Sequence, residues 1–438
     1  MAGSAKMHTD VRYLRQRLNK LLHTAFYISG STNNHWLVQQ LMQYRLCPAM
    51  QLAKGKSIAV FNTTRLNFFI KEELQHDSTF FSTDKNDRIA SSSNGEQRLA
   101  LLQYLLAQQP ACIIIDGVFD SLDTTVKQKV SKLVQDIAAY TLLVQIISRK
   151  EDCLPMIQEV YSMVGNTVAA PQTYLQFTTA TAPVNVGTRG NIPAPPGQQG
   201  IFNNPLIQLT DVSVSFGERK ILNNINWTIN KGECWQLKGP NGSGKTTLLA
   251  LITGDNVKGY GQNLLLFGRK KGSGETVWDI KQHIGYFASY MLQQFETTNT
   301  ARQMIAGGFF DSIGLYSIPG DKQWQLANQW MVTLGLADKS NTPFLSLTAA
   351  EQRLVLLARA MVKHPPLLIL DEPTTGLDDT GAKLFTSLVN DIAAQTSTAI
   401  IYVSHRQEAE LNPSYILELV PGADGSAGYV RSNIKNAG

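Results

Sequence analysis

The chain has 438 residues, 43% of them hydrophobic, with a formal net charge of +5. Such a length exceeds one ordinary core and predicts two or three domains, while a mild charge without any Lys/Arg tract gives no reason to expect nucleic acid as a partner. Cys47, Cys112, Cys153 and Cys234 lie far apart without a CxxC pair, which argues against a disulfide framework or a zinc site. No apolar run approaches a membrane span, and Lys6, Arg12, Arg15 and Arg17 precede no signal-peptide core, so a cytoplasmic protein is expected and any membrane role needs a partner.

In chain order, Ala25-Phe26-Tyr27-Ile28-Ser29-Gly30 reads as a strand that runs into the turn Gly30-Ser31-Thr32-Asn33-Asn34-His35-Trp36. Ser92-Ser93-Asn94-Gly95-Glu96 stands ahead of Arg98 and an amphipathic helix. Ile113-Ile114-Ile115-Asp116-Gly117 is an apolar strand closing on a carboxylate, followed by Phe119-Asp120-Ser121-Leu122-Asp123 and then by the strand end Ile147-Ser148-Arg149. From Val164 to Asn204 the chain turns to Pro, Gly, Ala, Thr and Gln with Arg189 as its only charge, the composition of a flexible linker. The predicted organisation is therefore a domain over 1–165, a linker over 166–204 and a second domain over 205–438.

The second domain opens with two alternating runs, Leu206–Phe216 and Ile221–Ile229, that predict a hairpin around Gly217. Glu233–Lys238 is a strand entering Gly239-Pro240-Asn241-Gly242-Ser243-Gly244-Lys245-Thr246-Thr247, which fits GxxxxGK[ST]. In that pattern, glycines let backbone N–H groups curl around a phosphate and the helix N-terminus adds partial positive charge; Lys245 reaches the outer phosphates and Thr246 ligates Mg²⁺. Helical periodicity is expected over Ala301–Ile305, Gln323–Leu334 and from about Gly381 to Ala394. Pro366–Leu370 is a buried strand ending in Asp371-Glu372, where Asp371 is suited to hold Mg²⁺ and Glu372 to orient or deprotonate the attacking water. Thr398–Ser404 is the last core strand, and His405 at its end could contact a γ-phosphate. Phe216 is a candidate to stack on adenine. Strands alternating with helices and ending in charged residues predict a parallel α/β core with its site at the carboxyl edge.

This order resembles the ATP-binding cassette family, whose members run aromatic loop, Walker A, Q-loop, signature, Walker B with glutamate, D-loop and switch histidine. The resemblance implies a P-loop NTPase fold with two tandem ABC-type nucleotide-binding domains, the first degenerate and shortened. Leu347-Thr348-Ala349-Ala350-Glu351 falls at the second signature without either glycine, Thr375-Gly376-Leu377-Asp378 resembles the D-loop, and Ser289 stands where the Q-loop glutamine belongs, with Gln293 and Gln294 nearby. In the first half, Trp36 takes the place of the lysine, Gly117 of the glutamate and Arg149 of the histidine, whereas Ser93-Asn94-Gly95-Glu96 and Asp123 keep the signature and D-loop places. Far fewer positions separate Gly30 from Ser93 than Gly239 from Thr348, so most of the helical insert is expected to be missing from the first domain.

Family members pair cassettes head to tail, which implies that the two cassettes pair within this chain and that one ATP with Mg²⁺ is held by the second cradle and the first signature. The other site, lacking lysine, glutamate and histidine, should be silent. From about residue 205 to 435, phrases such as ILNNINW, ECWQLKGPNGSGKTTLLALITGD and FFDSIGLY are similar to soluble tandem members encoded near molybdate uptake. The resemblance thus implies a cytosolic ATPase tied to molybdate transport or its regulation, acting on an unidentified protein partner. The alternatives are a motor subunit bound to ABC membrane subunits, at the inner membrane through that partner, and a nucleotide-dependent scaffold with little turnover. Tandem members that act on ribosomes carry a long charged linker, unlike the Pro-rich one here with Arg189 as its only charge.

Overall fold

The computed structural model describes residues 21–433 apart from 31, 77–87, 120–121, 181–189, 198–201, 294–297, 312–314, 316, 407 and 409. Ser31, Asp120, Ser121 and Gln294 thus lie outside the described residues. Two compact units result: Met1–Pro183 together with Gly376–Thr380, and Val184–Thr375 together with Gly381–Gly438.

The first unit runs β1 (Thr24–Ile28), α1 (Asn34–Met42), α2 (Pro48–Leu52), β2 (Ile58–Phe61), α3 (Thr63–His76), α4 (Asn94–Ala107), β3 (Cys112–Asp116), α5 (Thr124–Ile137), β4 (Leu142–Ile147), β5 (Glu159–Val164), β6 (Thr167–Val168), β7 (Gln172–Thr173) and α6 (Tyr174–Thr179). Its sheet has the order β2-β3-β4-β1-β5-β6, with β7 also on β5. The five strands from β2 to β5 are parallel, and β6 and β7 run antiparallel to β5. The central strands β3 and β4 are apolar over most of their length, as burial on both faces requires. In β3, Ile113 and Ile115 enter one core while Cys112 and Ile114 enter the other, as a period of two requires.

The second unit runs β8 (Ile207–Phe216), β9 (Arg219–Ile229), β10 (Cys234–Lys238), α7 (Lys245–Ile252), β11 (Asn263–Leu266), β12 (Arg269–Lys270), α8 (Val277–Lys281), β13 (Ile284–Ala288), α9 (Ala301–Ala306), α10 (Asp321–Thr333), α11 (Ala349–Met361), β14 (Leu367–Asp371), α12 (Asp379–Gln395, whose first two residues belong to the other unit), β15 (Ala399–Val403), β16 (Tyr415–Val420) and β17 (Ala427–Ser432). Its main sheet has the order β13-β14-β15-β10-β16-β17, parallel except for β17, and the antiparallel sheet β12-β11-β8-β9 stands beside it. Both sheets share one core that includes Trp227, Trp235, Leu248, Ile369 and Ile401.

The hairpin expected around Gly217 is present, with Phe216 paired to Arg219. Register shifts near Leu209, Val212 and Val214 interrupt the alternation. The stretch read as a linker over 166–204 is partly built into structure. Thr173 and Gln176 form a capping box that starts α6, and Phe177 buries its ring in the first unit. Further on, Ile192 N–H donates to Gln395 Oε1 (2.9 Å) and Thr333 Oγ1 to the Asn191 carbonyl (3.0 Å), holding this segment to the second unit. Composition marked the segment as coreless, but single apolar side chains and backbone groups anchor it.

Candidate functional site

At the carboxyl ends of β10, β13, β14 and β15 the second unit encloses a cavity of about 470 Å³. Its walls include Asn241, Gly242, Gly244, Lys245, Thr246 and Thr247 from the loop and start of α7, together with Asp371, Glu372 and His405. The loop shape depends on glycine at two places. A Cβ on Gly239 (φ +155) would lie 2.5 Å from Ser243 Oγ and 2.8 Å from the Leu419 carbonyl, and one on Gly244 (φ +91) would lie 2.7 Å from Leu222 Cδ2. Because Gly244 supplies no side-chain cap, the first N–H groups of α7 stay available to an anion. Lys245 Nζ donates to the carbonyls of Gly239 (2.7 Å) and Pro240 (2.9 Å), and the fully buried Ser243 Oγ has no hydrogen-bond partner. A cradle with an orphaned hydroxyl and uncapped helix N–H groups fits a bound phosphate.

Two adjacent carboxylates differ in character. His405 Nε2 lies 2.6 Å from Glu372 Oε1, Thr375 Oγ1 donates to Glu372 Oε2 (3.5 Å), and Glu372 N–H donates to the Val403 carbonyl (3.0 Å). Burial opposes the charge of Glu372, but His405, Lys245 and Thr375 together hold its carboxyl below the usual range. For Asp371, burial and the neighbouring Glu372 charge push the carboxyl up, against Lys245, His405 and a hydrogen bond from Tyr286. Thr246 and Asp371 line the same cavity, so a hydroxyl and a carboxylate whose charge is disfavoured by burial and by Glu372 offer the oxygen donors that Mg²⁺ takes.

Arg353, Arg219, Ile221 and Tyr290 contribute without a sequence prediction, whereas Ser289 was marked at the Q-loop place. Arg353, five residues after the helix cap Thr348, donates from its guanidinium to the carbonyls of Pro373 (2.6 Å) and Thr375 (2.5 Å), bracing the loop that carries Glu372. Ser289 lines the cavity, and its hydroxyl donates to the Glu372 carbonyl; the side chain of Gln293 lies outside the described residues. Arg219, Ile221 and Tyr290 complete the wall. Phe216 is 48% exposed and is not among the lining residues, which take Arg219 from the paired strand instead. The even spacing of cap and arginine, Ser93 to Arg98 and Thr348 to Arg353, is the signal that could have found Arg353.

In the first unit the corresponding places are occupied differently. Trp36 N–H donates to Asn33 Oδ1 (3.0 Å) at the start of α1, and Asn34 Nδ2 donates to Asp116 Oδ1 (3.1 Å). Gly30 N–H donates to Asp378 Oδ2 (2.8 Å). Arg149 Nε donates to the Leu377 carbonyl (2.8 Å), while Asp379 Oδ2 accepts from Tyr27 OH (3.0 Å) and Lys150 N–H (2.9 Å). Ser93 and Glu96 form a capping box on α4, with Ser93 N–H donating to Glu96 Oε2 (3.0 Å). Arg98 Nε donates to Asn94 Oδ1 (3.2 Å) and its Nη1 to the Gly117 carbonyl (2.6 Å), and Gly95 packs beside Val126. Asp123 Oδ1 accepts from Val126 N–H (2.8 Å), capping α5.

The family model described as ABC transporter matches residues 222–375, and the chain belongs to this family of ATP-binding proteins. Among its relatives is the ABC transporter ATP-binding protein ModF of Escherichia coli (strain K12), 37% identical over 354 residues that cover 78% of this chain and 72% of the relative. An uncharacterized ABC transporter ATP-binding protein of Schizosaccharomyces pombe is 26% identical over 419 residues, covering 87% of this chain and 82% of that one. Of solved structures, ribosome-bound archaeal Pelota and ABCE1 aligns with a TM-score of 0.62 at 13% identity over 94% of this chain and 75% of that chain, a likeness of fold. The tandem α/β, P-loop NTPase reading thus holds. Among the described residues, no helix is long and apolar enough to cross a membrane.

Proposed function

We propose that this chain binds and hydrolyses Mg-ATP at one site, the cavity at Lys245, as a cytoplasmic tandem ABC ATPase. One observation carries the proposal: loop, lysine, both carboxylates and His405 converge on a single cavity, with Glu372 held 2.6 Å from His405. Lys245 leaves the loop carbonyls to meet the outer phosphates, and the N–H groups of α7 hold them in place. Glu372, kept ionised, takes the proton of the attacking water; His405 fixes its orientation. Bound between Thr246 and Asp371, Mg²⁺ would supply neutralising charge to the phosphate oxygens.

The finer reading gives Ser93, Asn94, Gly95, Glu96 and Asp123 the signature and D-loop roles for this same ATP, supported by the intact Ser93–Glu96 cap, and leaves the first cradle silent. A link to molybdate transport or its regulation is supported by the sequence resemblance alone. Phosphate release from Mg-ATP tests the enzyme. The parent should turn over above background, and Glu372→Gln should fall about 10²–10³-fold while still binding ATP. Ser93→Arg should lose rate if the signature role holds, and a parent with no turnover would leave the scaffold reading.

A groove of about 470 Å³ lined by Trp278, Tyr286, Tyr290 and Arg359, with Trp278 73% exposed, favours a second reading as a motor for separate membrane subunits. Co-purification with an integral membrane protein would support it.

A further inference from the structure

The opposite edge of the main sheet in the second unit holds a cavity of about 290 Å³ that the nucleotide chemistry does not use. Lys231, His283, Pro365 with Pro366, and Ser397 with Thr398 stand just ahead of β10, β13, β14 and β15, so this cavity lies at the amino ends of the strands whose carboxyl ends form the ATP site. We infer that it binds a compact phosphoryl or sulfuryl oxyanion.

The lining contains Lys231, Lys363, His283 and His364, the hydroxyls of Ser397 and Thr398 and, among the described residues, no carboxylate. Lys231 makes no ion pair among the described residues, whereas Lys363 pairs with Asp311 (2.5 Å). Around His283 stand Arg269, Lys363 and the compensating Asp279. Asp311 and Asp279 thus answer Lys363 and His283 from outside the lining, and Thr398 Oγ1 already donates to the Pro365 carbonyl (2.8 Å), which leaves the Lys231 ammonium as the charge that an anion in this cavity satisfies.

The walls are also preorganised. His283 lies edge-on to Phe202, with ring centroids 4.8 Å apart, and Phe267 stands 5.2 Å away on the same imidazole. Asn204 Oδ1 accepts from Lys231 N–H (3.0 Å), His364 is hydrogen-bonded by its imidazole to the Pro193 carbonyl, and Pro196 forms another part of the wall. Segment 190–197 and residues from Phe202 onward thus reach the cavity from two sides. A ligand there touches the chain that leads from the first unit to the second. At about 290 Å³ the space is at the small end of ligand pockets, suited to a diphosphate or a small phosphate ester rather than a nucleoside triphosphate.

This inference does not rest on ATP turnover. Titration calorimetry on the full chain carrying Lys245→Ala, which removes the cradle lysine as a competitor, should show one saturable binding event with sodium pyrophosphate at low ionic strength. Lys231→Glu added to that background should weaken it at least about tenfold, and Lys231→Gln should weaken it less. Heat with sulfate as well would assign any such oxyanion; heat with pyrophosphate alone would narrow the ligand to phosphoryl groups. A flat isotherm, or one that both Lys231 variants leave unchanged, overturns the proposal. Circular dichroism matching the parent confirms that the variants fold, as expected for a half-exposed lysine.

Discussion

Asp371 and Glu372 are adjacent, yet the fold treats their charges in opposite ways. The Glu372 carboxyl is depressed in the folded state, so its contribution to stability is present above its unfolded value and is lost as pH falls through the folded one. The Asp371 carboxyl is raised, so its ionised form costs stability at neutral pH, and the cost is relieved as pH falls through the folded value. Asp371→Asn should therefore raise the melting temperature of the ligand-free chain by about a few degrees while removing Mg²⁺-dependent turnover, to be read by scanning calorimetry beside the ATPase assay. The acid limb of kcat/KM assigned to Glu372 should lie below the usual carboxylate range; a limb above that range would move the general-base role elsewhere. Glu372 also sits at φ +49, a left-handed conformation that costs a non-glycine residue about 1–2 kcal/mol, and it is held there by its bond to Val403 and by the Ser289 hydroxyl. The acidic pair was legible in the sequence because a strand ended on it. The opposite behaviour of its two members was not, because it arises from His405, Lys245 and Tyr286, which arrive from other strands and from α7.

Among the elements, α4 and α11 begin alike: Ser93 with Glu96 and Thr348 with Glu351 form capping boxes, and each helix sends an arginine to the loop after the neighbouring strand. Ser93→Ala and Thr348→Ala should each lower unfolding free energy by about 1 kcal/mol in urea titrations, with Ser93→Ala alone slowing ATP turnover under the proposed signature role. At the start of α7, Gly244→Ala places a Cβ 2.7 Å from Leu222 in a left-handed conformation and should abolish ATP binding, measured with a fluorescent nucleotide. Strands β1, β3, β4, β10, β14 and β15 could be read directly from the sequence, whereas β2, β5, β16 and the helix caps carried no sequence expectation. The bulged register of β8 could not, since a positive φ at Asp211 shifts the pairing without leaving a glycine as a marker. Nor could α6, whose anchor is the single ring of Phe177 in an otherwise polar stretch.

On the scale of the whole molecule, the two main sheets repeat one order. The strand that opens each unit's sheet, β1 or β10, lies fourth after the next three, with β5 or β16 beyond it. The antiparallel sheet β12-β11-β8-β9, which supplies Arg219 and Ile221 to the cavity, has no counterpart among the described residues of the first unit. Motif order disclosed the duplication, because β3 and β14 both end on an aspartate, Asp116 and Asp371; the missing sheet was not apparent, since nothing marks its absence. One ATP per chain is the expected calorimetric stoichiometry, and two equivalent sites would contradict the proposed asymmetry. Residues 376–380, although encoded late, fold as part of the first unit, supplying Asp378 to Gly30 and Asp379 to Tyr27 and Lys150. A gene truncated after codon 183 would therefore yield an amputated protein rather than a free-standing half: the Arg149 guanidinium, 8% exposed, would be left without its Leu377 and Asp379 acceptors. Dissecting this polypeptide into fragments calls for co-expression or a grafted pentapeptide, and inactivity of the bare N-terminal piece would report the missing graft before it reported any function.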